Sequence, residues 1–196
     1  EVKMDARVIK YSNADTGHDL ALLMVRAKNY GKDSSKFYLN DEDPIIPIGT
    51  NLYHVGSLLG QMGANSMTTG IVSQIGRTLD KMEYDQTTVT AFPGSSGGGV
   101  FLTDGKYVGM LVRGAGEGFN LIVPIRRMLG WAEKNDILWA LDSGVDMPSL
   151  DDIDEIPVED SGINKKRKDD DDDEIDETKR NFPFLIRKTN IINLYE

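Results

Sequence analysis

The sequence predicts an all-β fold, an antiparallel barrel or sandwich followed by one C-terminal helix, and three observations carry that prediction. Short apolar runs recur between Ile45 and Val123, each bounded by Gly, Asn, Asp or Pro. Runs of about four to eight residues at roughly 8–12-residue spacing, without helical periods between them, mark barrels and sandwiches. Two more apolar runs flank a polar turn near the N-terminus, and a helical period begins only after Pro124.

Residues 6–11 and 18–27 read as two strands, rich in β-branched and aliphatic side chains, on either side of the turn from Ser12 to Gly17. Residues 28–44 are polar and turn-rich, a connector. The runs IIPI, NLYHVGSLLG, TTGIVSQIG, TTVTAF, GGGVFL, KYVGMLV and FNLIVP then supply the strands of the main body. From Pro124 to Gly144, Ile125, Met128, Leu129 and Ala132 recur at the spacing of one helix face. Proline suits the first turn of that helix and Gly144 its end. Residues 146–180 carry dense charge and few large apolar side chains, so they are expected to be disordered. The last stretch, NFPFLIRKTNIINLYE, turns apolar again.

Charge is distributed unevenly. Of the 196 residues, positions 151–177 hold 14 acidic and 4 basic side chains, whereas the rest hold 18 of each sign. A neutral body with an acidic tail lacks a phosphate-neutralising surface, which argues against nucleic-acid binding. The absence of cysteine removes disulfides, thiolate metal sites and cysteine nucleophiles. No metal or cofactor is expected. The longest apolar runs fall far short of the about 18 residues of a membrane-spanning helix, so no membrane partner is expected. Composition does not fix a compartment.

The most specific string is Pro93-Gly94-Ser95-Ser96-Gly97-Gly98-Gly99-Val100-Phe101. A serine in a glycine-flanked turn before an apolar strand is suited to acyl transfer. Gly94 permits a backbone conformation disfavoured elsewhere, letting its N–H and that of Ser96 converge on one point as an oxyanion hole. Gly97 and Gly98 leave room for a substrate backbone. The same string also reads as a glycine-rich hairpin with exposed serines. Asp19, in His18-Asp19-Leu20-Ala21-Leu22-Leu23, opens an apolar strand 77 residues before Ser96. A carboxylate there is suited to orienting an imidazole toward Ser96.

With Gly70-Ile71-Val72-Ser73, Gly76-Arg77 and the run Gly118 to Pro124, these motifs follow an order that resembles trypsin-like serine peptidases of the chymotrypsin fold, and among them the HtrA-like branch. The resemblance covers about residues 5–135. It implies a chymotrypsin-like double β-barrel. Residues 1–44 would be a remnant of the first barrel with its connector, 45–145 the second barrel with its helix, and 146–196 the acidic tail with its apolar end. Ser96 matches the nucleophile, Asp19 the triad aspartate, and the N–H groups of Gly94 and Ser96 the oxyanion hole. Val112, Arg113 and Gly114 match the strand that pairs with a bound polypeptide substrate. Thr90 matches the floor of the primary specificity pocket and Gly118 its opposite wall. The uncharged Thr90 implies cleavage after a small or medium apolar residue, not after Lys or Arg.

The departures are as informative. In this family the catalytic histidine precedes the aspartate by some tens of residues, and only 18 residues precede Asp19 here. His18 adjoins Asp19, and strand neighbours face opposite sides. It is expected to be an exposed turn residue. His54 falls in the second barrel and is expected at the surface or partly buried. Two strands cannot close a first barrel, so the expectation is an N-terminally truncated serine endopeptidase whose histidine lies upstream and whose isolated chain is inactive. The alternatives are a non-catalytic peptide-binding or structural module on the same fold, or a viral or phage polyprotein-processing domain. An acidic stretch stands after the helix where the resemblance would lead one to look for a peptide-binding module, so the oligomeric role of the HtrA-like branch is not expected here.

Other features take blander readings. Lys165-Lys166-Arg167-Lys168 beside the acidic run reads as a self-neutralising polyampholyte. The acidic run lacks the spaced ligands of a calcium loop. Trp131 and Trp139 are expected to pack on the barrel, and Arg77 and Arg113 to lie at the surface, Arg113 near a bound peptide.

Overall fold

The computed structural model describes residues 5–14, 17–25, 34–40, 42–114, 116 and 118–160. The basic patch, the acidic run after it and the apolar C-terminal stretch lie outside the described residues, as do residues 28–33 and 41 of the 28–44 connector.

Strands β1 (Ala6–Ser12) and β2 (Leu20–Val25) pair antiparallel as a two-stranded sheet. Six further strands close a barrel: β3 (Asn51–Leu58), β4 (Gly63–Leu79), β5 (Met82–Thr87), β6 (Gly99–Phe101), β7 (Tyr107–Gly114) and β8 (Asn120–Pro124). Their order around the barrel is β3-β4-β5-β8-β7-β6, every pairing antiparallel. Closure removes the exposed edges that an open sheet would leave. The barrel interior is filled by Ile46, Leu52, Val72, Val89, Val100, Val108, Leu111 and Ile122. A second core, including Leu20, Tyr84, Leu121, Val123, Met128 and Trp131, joins the start of β2 to the barrel and to helix α1 (Ile125–Lys134).

Expectations about a strand, the helix and the tail need correction. The run TTVTAF is not a strand, and the strand at that place in the barrel is β5, whose sequence MEYDQT shows no apolar run. Asp85 and Gln86 are buried there because arginines meet them. Arg126 grips Asp85 through two hydrogen bonds of 2.6 and 2.7 Å, and Arg77 Nε donates to Gln86 Oε1. The helix ends at Lys134, well before Gly144. Asp136 then takes a left-handed conformation (φ 57°), and a 3₁₀ turn over Leu138–Ala140 follows. Pro124 stands just before the helix, not inside its first turn.

The third correction concerns residues 146–160, assigned by charge to the disordered tail. They form α2 (Leu150–Glu155), opened by a capping box between Ser149 and Asp152, and return along β1. Two apolar side chains and a few backbone bonds suffice, and one of the two, Ile156, packs partly buried against the second core. Ile153 is buried, the Tyr11 N–H donates to the Val158 carbonyl at 2.8 Å, and the Asp160 N–H donates to the Tyr11 carbonyl at 2.9 Å. Lys10 Nζ donates to the Pro157 carbonyl at 2.7 Å. Trp131 is buried on α1, and its indole N–H donates to Asp160 at 3.0 Å, while Trp139 packs against the same core.

Candidate active site

The turn from Pro93 to Gly98 lies between the end of β5 and the start of β6, and its two serines differ. Ser95 is buried and committed: its N–H donates to the Phe92 carbonyl at 2.9 Å and its hydroxyl accepts the Phe92 N–H at 3.1 Å. Ser96 is half-exposed, and its hydroxyl has no hydrogen-bond partner among the described residues. Of the two, only Ser96 offers a free oxygen to a substrate.

Gly94 takes φ +97°, and a Cβ there would fall 2.4 Å from the Ser57 carbonyl oxygen, so both conformation and space demand glycine. The N–H groups of Gly94 and Ser96 donate to nothing among the described residues. The carbonyls that share their peptide units are both occupied. Pro93 accepts the Leu59 N–H at 2.8 Å, and Ser95 accepts the Gly98 N–H at 3.0 Å. Two unengaged donors two residues apart, each backed by a pinned carbonyl, are fixed dipoles of the kind that can stabilise an oxyanion.

Beside this turn runs the end of β7. Leu111 exchanges bonds with the turn, accepting the Gly97 N–H at 2.7 Å and donating to the Gly98 carbonyl at 3.0 Å. Val112, Arg113 and Gly114 continue past the end of β6, so among the described residues their strand pairs with β8 alone. A bulge between Leu111 and Arg113 marks the changeover. The Arg113 side chain is committed elsewhere, paired with Asp80 at 3.0 Å and set over the Tyr84 ring.

Thr90 is exposed and Gly118 is exposed at φ +74°. Their segments are joined by Asn120, a buried side chain whose Nδ2 donates to the Val89 carbonyl at 2.7 Å and whose Oδ1 closes over Gly114. Asn120 thus ties together the neighbours of Thr90, Gly118 and Gly114. Within the run Gly118 to Pro124 nothing local distinguishes Asn120, because both of its contacts are made by folding.

Asp19 is half-buried at φ +55°, immediately before β2. Among the described residues no hydrogen bond joins it to Ser96 or to either imidazole. His18 is not the exposed turn residue expected. It is half-buried, its carbonyl accepts from Arg127, and its Nδ1 is shielded without a partner among the described residues. Burial, and then the Arg127 charge, push its pKa down. His54 is not at the surface either. It is fully buried beneath the serine turn, with Nε2 3.3 Å from the Ser95 carbonyl oxygen and its pKa lowered by burial. Among the described residues neither imidazole hydrogen-bonds to Ser96. No group of three metal-ligating side chains occurs among the described residues.

Residues 1–110 match the family described as "Trypsin-like peptidase domain". The serine protease Do-like HtrB of Bacillus subtilis (strain 168) is 30% identical over 114 residues, covering 54% of this chain and 24% of that protein. A probable periplasmic serine endoprotease DegP-like of Halomonas elongata is 35% identical over 111 residues, 54% of this chain and 22% of that protein. The chain therefore spans about a quarter of the length of these relatives. Among solved structures, an HtrA-type protease AlgW variant with a tripeptide superposes with a TM-score of 0.55 at 21% identity, covering 69% of this chain and 44% of that one. The fold they share is the chymotrypsin-like β fold.

Proposed function

The chain belongs to the trypsin-like peptidase domain family, and from that premise we propose that it is the catalytic portion of a serine endopeptidase. Ser96 Oγ attacks the scissile carbonyl, and the N–H groups of Gly94 and Ser96 receive the negative oxygen. The leaving amine departs with the proton taken from Ser96, and water then hydrolyses the acyl-enzyme. Asp19 orients the imidazole that carries the proton. Since neither His18 nor His54 hydrogen-bonds to Ser96 among the described residues, that imidazole is assigned to sequence upstream of residue 1. The polypeptide substrate lies along Val112, Arg113 and Gly114 as an added strand. Its cleaved residue, small or medium and apolar, enters between Thr90 and Gly118.

The observation that carries this reading is the pair of unengaged donors on Gly94 and Ser96 beside the serine of the turn whose hydroxyl, unlike that of Ser95, is uncommitted among the described residues. The test is labelling of the full-length protein by a fluorophosphonate. Labelling that Ser96→Ala abolishes and Ser95→Ala retains supports the assignment; labelling indifferent to Ser96 defeats it. The 196-residue chain, without the base, should label far more slowly. A peptide-binding module is the second reading, favoured by the absence of an imidazole at Ser96. Peptide binding by the full-length protein, without any labelling, would support it.

A further inference from the structure

The Ser96 N–H is aimed by what lies on the other side of its own peptide unit. In a trans peptide the carbonyl and the N–H point in opposite directions, so fixing one fixes the other. The partner carbonyl is that of Ser95. It accepts the Gly98 N–H at 3.0 Å, and His54 Nε2 lies 3.3 Å from the same oxygen.

His54 reaches this position because the turn and strand leave space for it. A Cβ on Gly98 would fall 2.4 Å from Nε2, and one on Gly56 would fall 2.8 Å from the same ring. The imidazole therefore fills the room made by two glycines, one in the serine turn and one on its own strand. Its other nitrogen, Nδ1, stands 3.5 Å from Thr68 Oγ1, and that hydroxyl donates to the Thr90 carbonyl at 2.9 Å. The Thr68 hydroxyl spends its one proton on Thr90, so its 3.5 Å approach to Nδ1 is a packing contact. The closer approach, 3.3 Å to a carbonyl that only accepts, is a hydrogen bond with the proton on Nε2. Burial disfavours the imidazolium, which leaves the neutral Nε2–H tautomer.

We propose that His54 is a positioning residue of the active site, holding the Ser95 carbonyl inward so that the Ser96 N–H points out to the oxyanion. Through Thr68 the same ring adjoins Thr90, linking the serine turn to the substrate pocket. The consequence for rate rests on the peptidase reading above, whereas the geometric consequence does not.

Two variants separate positioning from space-filling. His54→Leu keeps apolar bulk and removes the donor, while His54→Gln places an amide N–H where Nε2 stood. In the full-length protein, His54→Leu should lower kcat about 10- to 100-fold with KM within about twofold. That loss is smaller than the ~10²–10³-fold of deleting an oxyanion donor outright. His54→Gln should recover at least about tenfold of it. In the ¹⁵N-labelled 196-residue chain, NMR should report the Nε2–H tautomer and a Ser96 amide resonance displaced by His54→Leu but not by His54→Gln. Equal kcat and equal Ser96 resonances in both variants, or an Nδ1–H tautomer, would overturn the proposal. If His54→Leu does not fold, the tautomer and the His54→Gln comparison decide. A full-length protein that neither cleaves nor labels would defeat the peptidase reading, and the NMR result would still judge His54.

Discussion

Arg127 Nη2 donates to the carbonyl of His18, the residue before Asp19, and so helix α1 holds the candidate triad aspartate to the barrel. The same guanidinium donates to the Glu83 carbonyl at 2.9 Å and lies 4.6 Å over the Tyr84 ring. One side chain thus connects the helix, β5 and the start of β2.

Arg127→Met should therefore loosen the two-stranded sheet before it loosens the barrel. A hydrogen bond from a charged group is worth about 1.5–3 kcal/mol, and a loss of that order in overall stability is expected. Amide exchange should accelerate most over Leu20–Val25. Uniform acceleration through β3–β8 would show that Arg127 supports the barrel as a whole and not Asp19.

Gly94→Ala tests the serine turn. At φ +97°, with the new methyl 2.4 Å from the Ser57 carbonyl oxygen, the turn must shift and carry the Gly94 N–H with it. In the full-length protein kcat should fall about 10²–10³-fold, the cost of one oxyanion donor, with KM nearly kept. Gly49→Ala is the control. It has φ +89° and open space around it, so it should cost about 1–2 kcal/mol of stability and leave kcat alone. Equal kinetic losses in the two variants would point to backbone strain in general and not to the oxyanion hole.

Where the sequence reading succeeded, local pattern and tertiary demand coincided. Strands β3, β4, β7 and β8 are apolar runs because their inward side chains fill the barrel. β5 was missed because Asp85 and Gln86 are buried by arginines distant in sequence, which no local run of apolar residues reveals. α2 was missed because Ile153 is its only buried residue amid acidic neighbours. His54 was misplaced because Gly56 and Gly98 make its pocket, and a space made by absent side chains is invisible until the chain is folded. A polar residue at an inward strand position was the one signal available.

Acid should destabilise the fold through both histidines. Burial lowers the pKa of His54, and burial with Arg127 and Lys134, opposed by Asp160, lowers that of His18. The folded state then binds fewer protons than the unfolded chain once pH drops below the unfolded value of 6.5. Stability is full above that pH and declines as pH falls toward the folded pKa values, by at most about 1.4 kcal/mol per unit per histidine. Thermal unfolding at pH 8, 6.5 and 5.5 should show the decline, and His54→Gln should flatten it. An unchanged slope in that variant would mean His54 does not titrate with unfolding.

The segment over 150–160 should protect β1 chiefly through one side chain. Ile153 is 1% exposed, and its burial accompanies the Tyr11 backbone bonds to Val158 and Asp160. Those bonds occupy the edge of a two-stranded sheet, which is marginal by itself. Ile153→Ala removes the only buried apolar anchor of α2. A truncation of that kind costs about 2–5 kcal/mol in a packed core, and here the cost falls locally, on docking of the segment. Limited proteolysis should cut the variant within 150–160 much faster than the unaltered chain, and exchange should rise along Ala6–Ser12 while β3–β8 stay protected. Resistance at 150–160 in the variant would mean that Ile156, the Trp131–Asp160 bond and the Lys10 contact hold the segment without Ile153.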